Sequence, residues 1–281
     1  MDEQKIIATN LAKNYVIKER GLFGRKKKIV SAVKDISLEI PKGKIIGVLG
    51  INGAGKTTTI RMLASIIAPS SGTLTMNGVD AVKNHRWVKE RINVISGGER
   101  NLYWRLTAIE NLKYFGSLYG LSGVELKEKI AELLKIVGLV EAEDIPVERY
   151  SKGMKQRLQI ARGLINDPEY IFLDEPTLGL DIVIAKEIRT MIKELAQEGK
   201  KGVLLTTHYI SEAEELCDYI YVLDKGQMIA QGTKEELKDL FASEPKMVLQ
   251  EPGLEEILMK IIYRSRGEDS EENIFGNKSR N

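Results

Sequence analysis

The sequence predicts an α/β protein: a mostly parallel sheet with an antiparallel β region and an inserted block of helices. Three observations predict it. Apolar strand-like runs at 44–49, 92–96, 170–174, 203–207 and 219–223 alternate with helical patterns, the signature of strands joined by crossover helices. Helical spacing dominates from about 107 to 165, between two such strands. Near the N-terminus, Ile36, Leu38 and Ile40 alternate with Ser37 and Glu39, and Asn77-Gly78 follows a short strand at 73–76. Both are marks of half-buried antiparallel β structure.

Taken in order, residues 5–17 read as a strand with Tyr15 near its end. Lys18, Arg20, Arg25, Lys26, Lys27 and Lys28 follow, against one acid, Glu19. Such a charge run reads as a solvated loop or as a contact for anionic lipid headgroups. Pro41-Lys42-Gly43 turns the chain into the run Lys44–Leu49. After it, Ile60, Leu63, Ala64 and Ile67 fall at i, i+3, i+4 and i+7, one face of a helix. Residues 83–91 read as a helix, and Gly97-Gly98 breaks the strand at 92–96. Thr107 with Glu110, Ser122 with Glu125, and Ser211 with Glu214 have the spacing of capping boxes. Leu126, Ile130, Leu133, Leu134 and Val137 form an apolar stripe that Gly138 can end. Further helices are expected after Ser151, stopping before Pro168, and over 182–198, closed by Gly199. Lys225-Gly226 marks a turn.

Composition narrows the functional classes. The 281 residues contain 43% apolar and 29% charged residues, as in ordinary globular proteins. Lys+Arg 42 against Asp+Glu 40 leaves no global basic footprint, so nucleic acid is not an expected partner. A single cysteine, Cys217, rules out an internal disulfide framework and suits a reducing cytosol. The polar N-terminus does not resemble a signal peptide, and no apolar run approaches the roughly 18 to 20 residues that span a bilayer. Any membrane crossing must come from another chain.

The chemistry starts at Gly50-Ile51-Asn52-Gly53-Ala54-Gly55-Lys56-Thr57, which fits G-x-x-x-x-G-K-[ST]. A glycine-rich loop between a buried strand and a helix N-terminus aims backbone N–H groups and the positive end of the dipole at an anion. Lys56 can reach the β- and γ-phosphates of a nucleoside triphosphate, and the Thr57 hydroxyl can ligate Mg²⁺. The fold class is therefore a phosphate-loop NTPase (RecA-like) core. Asp174 ends an apolar strand, as the Mg²⁺-side acid of such a site does. Its neighbour Glu175 stands where a general base could polarise a water toward the γ-phosphate. His208 ends another strand, so the three groups are expected along one sheet edge.

Further along, Tyr150-Ser151-Lys152-Gly153-Met154-Lys155-Gln156-Arg157 resembles the Leu-Ser-Gly-Gly-Gln signature of the ATP-binding subunits of ATP-binding-cassette (ABC) transporters. Ile171 to Thr177 resembles that family's second Walker motif with its catalytic Glu. Leu178-Gly179-Leu180-Asp181 resembles its D-loop, and Thr206-Thr207-His208 its switch histidine. The resemblance covers about residues 4–240, with a helical subdomain at about 99–165. Residues 241–281 are expected to form an extension, with an amphipathic segment at 254–262 expected to pack as a helix at the dimer interface and a polar tail from about 266 expected to be disordered.

The resemblance implies the roles residue by residue. Gly50, Ile51, Asn52, Gly53, Ala54, Gly55, Lys56, Thr57 and Thr58 would hold the triphosphate of ATP. Tyr15 would stack on adenine. Thr57 and Asp174 would hold Mg²⁺, Glu175 would be the base, and His208 would link the γ-phosphate to Glu175. Ser151 and Gly153 would serve the ATP of a second nucleotide-binding subunit, with Asp181 at the junction. The implied partners are that second subunit, as a homodimer, and a separate membrane-spanning permease at the cytoplasmic face of the cell membrane. The wording of the signature resembles type-2 exporters. The rival reading is a soluble cassette ATPase acting on nucleic acid or ribosomes, but the long coiled coil or second cassette of such proteins is absent.

Three departures stand out. Ile51 replaces a Pro. Tyr150, Lys152 and Met154 replace the Leu, first Gly and Gln of the signature. Where the family has a Gln after the strand at 92–96, this chain has Gly97-Gly98-Glu99; Glu99, or backbone and water, substitutes there, or the contact is missing. Tyr103 and Trp104 follow, either packed in the helical block or forming an aromatic groove for a partner's helix.

Overall fold

The computed structural model describes residues 4–21, 24–97, 101–197, 200–240 and 261, with side chains described outside 18–26. Gly98, Glu99 and Gly199, the amphipathic segment apart from Ile261, and the polar tail lie outside the described residues.

The strands are β1 (Lys5–Gly21), β2 (Gly24–Pro41), β3 (Ile45–Leu49), β4 (Ser71–Met76), β5 (Val79–Asp80), β6 (Ile92–Ser96), β7 (Tyr170–Asp174), β8 (Gly202–Thr207), β9 (Tyr219–Asp224) and β10 (Gln227–Gly232). The helices are α1 (Lys56–Leu63), α2 (His85–Lys89), α3 (Ala108–Leu118), α4 (Gly123–Ile136), α5 (Lys152–Leu164), α6 (Ile182–Gln197), α7 (Ile210–Leu216) and α8 (Lys234–Asp239). The sheet order is β5-β4-β1-β2-β10-β9-β3-β8-β7-β6. From β9 to β6 all neighbours are parallel. From β5 to β2 all are antiparallel. The two parts meet at β10, which pairs with β2 at Gln227 and Asp35. This is the expected phosphate-loop α/β architecture, with α3, α4 and α5 between β6 and β7.

Period-two alternation makes the parallel strands the floor of two cores. Ile171 and Leu173 of β7 face a cluster with α3 to α6. Tyr170 and Phe172 face the opposite cluster, built from α1 and the antiparallel strands. The stripe Leu126, Ile130, Leu133, Leu134 and Val137 is buried, each large aliphatic side chain contributing about 2 kcal/mol by leaving water. Asn111, fully buried in α3, donates to the carbonyls of Tyr103 at 3.0 Å and Thr107 at 2.9 Å, and accepts from Tyr103 N at 2.8 Å. It thereby staples the segment entering the helical block.

Several local expectations change. The charge run at 18–28 is not a loop. It continues β1 and β2 into a long antiparallel ribbon that pairs Lys18 with Lys27 and Arg20 with Arg25. The first helix stops at Leu63 and Ser65 turns at φ 52°, so Ile67 lies beyond it, though still packed on the core. Thr107 and Glu110 form a reciprocal capping box, but Ser122 makes no side-chain cap bond. Ser211 lies inside α7, whose N-cap is Tyr209. β10 and α8 are additional elements. Asn77 and Gly78, at φ 50° and 79°, make the expected hairpin turn.

Candidate functional site

The C-terminal ends of β3, β7 and β8 lie side by side, with Leu49 opposite Thr207 and Asp174 opposite Thr206. This register brings three loops together. From β3, the glycine-rich loop curls around the Lys56 side chain, which is buried at 6% exposure. Its Nζ donates to Gly50 O at 2.7 Å and Ile51 O at 3.3 Å. Gly55 has φ 104°, and a Cβ there would stand 2.8 Å from Ala32 O, so only glycine closes this loop onto β2.

From β7 come Asp174 and Glu175. The Thr57 hydroxyl donates to Asp174 Oδ2 at 3.1 Å, and the Thr206 hydroxyl donates to Oδ1. Glu175 has φ 54°, an unfavourable backbone for a residue with a Cβ. It is held by Glu175 N donating to Thr206 O at 3.0 Å. Its Oε1 lies 3.7 Å from Lys56 Nζ and 3.3 Å from His208 Nδ1. The acid, the lysine and the histidine from three strand ends thus converge on one carboxylate oxygen.

A cavity of about 590 Å³ opens over this cluster, lined by residues 52–58, Glu175, Lys225 and the β2 residues Val30, Ser31, Ala32 and Lys34. Loop N–H groups, Lys56, Lys225 and Lys34 suit a polyanion. A larger cavity of about 790 Å³ lies by α4, lined by Glu90, Glu125, Glu128, Glu132 and Asp167. Its acids would repel phosphate, so the chemistry belongs to the first cavity. Among the described residues, no group of three His, Cys, Asp or Glu could hold a metal ion by itself. Thr57 beside Asp174 instead fits Mg²⁺, which is commonly held by one carboxylate together with substrate phosphates.

Other candidate residues lie apart. Tyr15 does not line the cavity; its cross-strand partner Val30 does, and Lys13 Nζ sits 5.5 Å from the Tyr15 ring centroid. Ser151 caps α5 by accepting from Met154 N at 3.2 Å. Gly153 packs against α6, where a Cβ would meet Ile184 Cγ2 at 2.7 Å. Neither lines the cavity. Asp181 caps α6, its Oδ1 accepting from Ile184 N at 3.0 Å. Tyr150 is buried and donates to Ala142 O at 2.6 Å. Tyr103 stacks edge-on against Tyr114 at 4.8 Å, and Lys155 Nζ stands 4.7 Å from the Trp104 ring centroid. Both aromatics remain nearly half exposed.

The sequence reading missed Lys34 and Thr206, which reach the site through strand pairing, and Lys225, which reaches it from the turn between β9 and β10. It also missed the meaning of Gly97. Gly97 N donates to Asp174 O at 2.7 Å, and a Cβ on Gly97 would fall 2.1 Å from Glu175 O. The glycine lets β6 press against the backbone turn at Glu175. Gly97→Ala is expected to lower Tm by roughly 2 to 8 °C, from about 1–3 kcal/mol of overpacking, and to reduce ATP turnover with it. Thermal melts and a steady-state ATPase assay check this.

Fold and site define a phosphate-loop nucleotide-binding ATPase. The ABC transporter family model matches residues 33–178, and the chain belongs to this family as an ATP-binding, ATP-hydrolysing subunit. It is 47% identical over 222 residues to the ABC transporter ATP-binding protein NatA of Bacillus subtilis, covering 79% of this chain and 90% of that protein. It is 42% identical over 207 residues to the Nod factor export ATP-binding protein I of Cupriavidus metallidurans, covering 74% of this chain and 68% of that protein. A dimeric ATP-binding cassette solved in a post-hydrolysis state with ADP and Pi superposes with a TM-score of 0.70 at 26% identity, covering 81% of this chain and 98% of that one.

Proposed function

We propose that this subunit powers an exporter from the cytoplasmic face of the membrane, and that two copies enclose two ATP molecules. The observation that carries the hydrolytic part is the convergence of Lys56 and His208 on Glu175 Oε1. Glu175 takes a proton from the water that attacks the γ-phosphate. His208 orients Glu175 and touches the γ-phosphate. Lys56 and the N–H groups of residues 50–58 stabilise charge on the phosphates, so the site works by positioning and electrostatics. Mg²⁺, held by Thr57 and Asp174, would draw charge from the phosphate oxygens. Tyr15 would stack on the adenine beside Val30, its cross-strand partner, which lines the cavity.

The two-copy reading is supported by Ser151 and Gly153. They stand at the N-terminus of a 13-residue helix but outside the phosphate-loop cavity of their own chain. Ser151 Oγ accepts from Met154 N and keeps its own proton for an anion. A triphosphate in one copy is then closed by the signature of another, with Asp181 at the junction. Residues 1–240 act as the nucleotide-binding domain, with the helical block at about 99–165 as its subdomain.

No helix among the described residues is long and apolar enough to cross a membrane. The translocation path is assigned to a separate permease by this reading. The exposed faces of Tyr103 and Trp104 offer aromatic area for that partner. The export direction is supported by the similarity to the Nod factor export protein; the relatives do not favour a nucleic-acid ATPase. Tagged protein drawn from detergent-solubilised native membranes is expected to bring down a multi-span membrane chain. Recovery of ribosomal or nucleic-acid-binding proteins alone would overturn the transporter reading.

A further inference from the structure

Glu212 of α7 is a carboxylate in the wrong solvent. Its residue is 2% exposed, and its Oε2 is buried without a hydrogen-bond partner. Burial pushes the carboxyl above its ordinary value, against the hydroxyls of Thr207 and Thr177 and the charges of Arg189 and His208, which pull it down. Packing alone does not account for an acid here, since an apolar side chain would avoid the desolvation penalty. What the acid does is visible in its bonds. The Thr177 hydroxyl, itself buried, donates to Glu212 Oε1 at 2.7 Å. The nearby Thr207 hydroxyl pulls the carboxyl's titration down, and its oxygen accepts from Tyr209 N, at the start of the helix that carries Glu212, at 2.9 Å. Thr177 lies two residues after Glu175, and Thr207 immediately precedes His208.

We propose that Glu212 is a positioning residue for ATP hydrolysis: its buried carboxyl ties Thr177, behind Glu175, to the helix that follows His208 and holds those two side chains in register. The 3.3 Å approach of His208 Nδ1 to Glu175 Oε1 spans two loops that share no backbone hydrogen bond beyond Glu175 N to Thr206 O among those described. Glu212 supplies a side-chain clamp between the Glu175 loop, at Thr177, and the first turn of α7, four residues after His208. The left-handed backbone at Glu175 makes such a clamp useful, because a strained turn persists only when its surroundings over-determine it. A small displacement of a proton acceptor loses turnover steeply while leaving the phosphate loop, and with it ATP affinity, in place.

This rests on Glu175 and His208 being the groups at the γ-phosphate, so the test includes His208→Ala. Glu212→Ala is expected to lower kcat by about tenfold or more with ATP affinity within roughly threefold of wild type. Glu212→Gln, which keeps an oxygen for the Thr177 hydroxyl, is expected to restore turnover to within roughly threefold of wild type. In the His208→Ala background, Glu212→Ala is expected to cost no more than about twofold further, because its effect runs through His208. Equal losses in both backgrounds, or native turnover in Glu212→Ala, would overturn the clamp. Native turnover in His208→Ala would instead overturn the premise. If Glu212→Ala does not fold, Thr177→Val removes one arm of the clamp at nearly constant volume. It is expected to lower kcat without weakening ATP binding, and unchanged kcat there would equally overturn the proposal.

Discussion

Glu175→Gln protein is expected to bind ATP with near-native affinity and to hydrolyse it roughly 10²- to 10⁴-fold more slowly, the usual contribution of a positioned general base. The substitution keeps the side-chain volume and an oxygen that can still face Lys56 and His208. It removes the negative charge and the capacity to take a proton. Binding is expected to survive because the cavity-lining loop residues 52–58, Lys56 among them, are untouched. The variant should also accumulate as an ATP-bound dimer, since closure precedes the step that is blocked. Radiolabelled ATP retention, phosphate release and sedimentation separate these quantities. Native turnover would remove Glu175 from the chemistry.

Lys56→Ala is expected to fail earlier, at binding. ATP affinity should fall by about 10- to 100-fold, as for the loss of charge-assisted bonds of roughly 1.5–3 kcal/mol. Lys56 is buried within its own loop and donates to the carbonyls of Gly50 and Ile51. Its removal therefore strips a phosphate contact and leaves the loop without its internal post. Equilibrium titration with ATP reads the effect directly. Unchanged affinity would place the phosphates elsewhere.

The parts of the site that the sequence disclosed are those whose chemistry is local. The loop at 50–57 needs glycines, Lys56 and Thr57 within a few residues, and Asp174 and Glu175 sit at the end of one buried strand. The backbone stripe of α4 was equally plain, because a helix writes its buried face at fixed spacing. Long-range pairing was less legible. The ribbon of β1 and β2 past Tyr15 is rich in cations in the sequence and leaves Val16 and Ile29 exposed, so no alternation betrays it; cross-strand pairing decides it instead. Irregularities in the β1–β2 register between Ala8 and Leu11, Leu11 and Lys13, and Lys13 and Asn14 alter which way the following side chains face. Tyr15 itself lies off the cavity, which its cross-strand partner Val30 lines. α8 carries a full Thr233–Glu236 capping box that was present in the sequence but is followed by only six helical residues. Gly97 and Glu212 were silent for the same reason: their meaning lies in contacts with Glu175, Thr177 and Thr207, on other strands.

The most direct test of the account is the structure of the Glu175→Gln protein with ATP and Mg²⁺. The account predicts two copies, with each triphosphate held by residues 50–58 of one and closed by Ser151 and Gly153 of the other. A nucleotide held by one copy alone, with its partner's signature facing solvent, would contradict it.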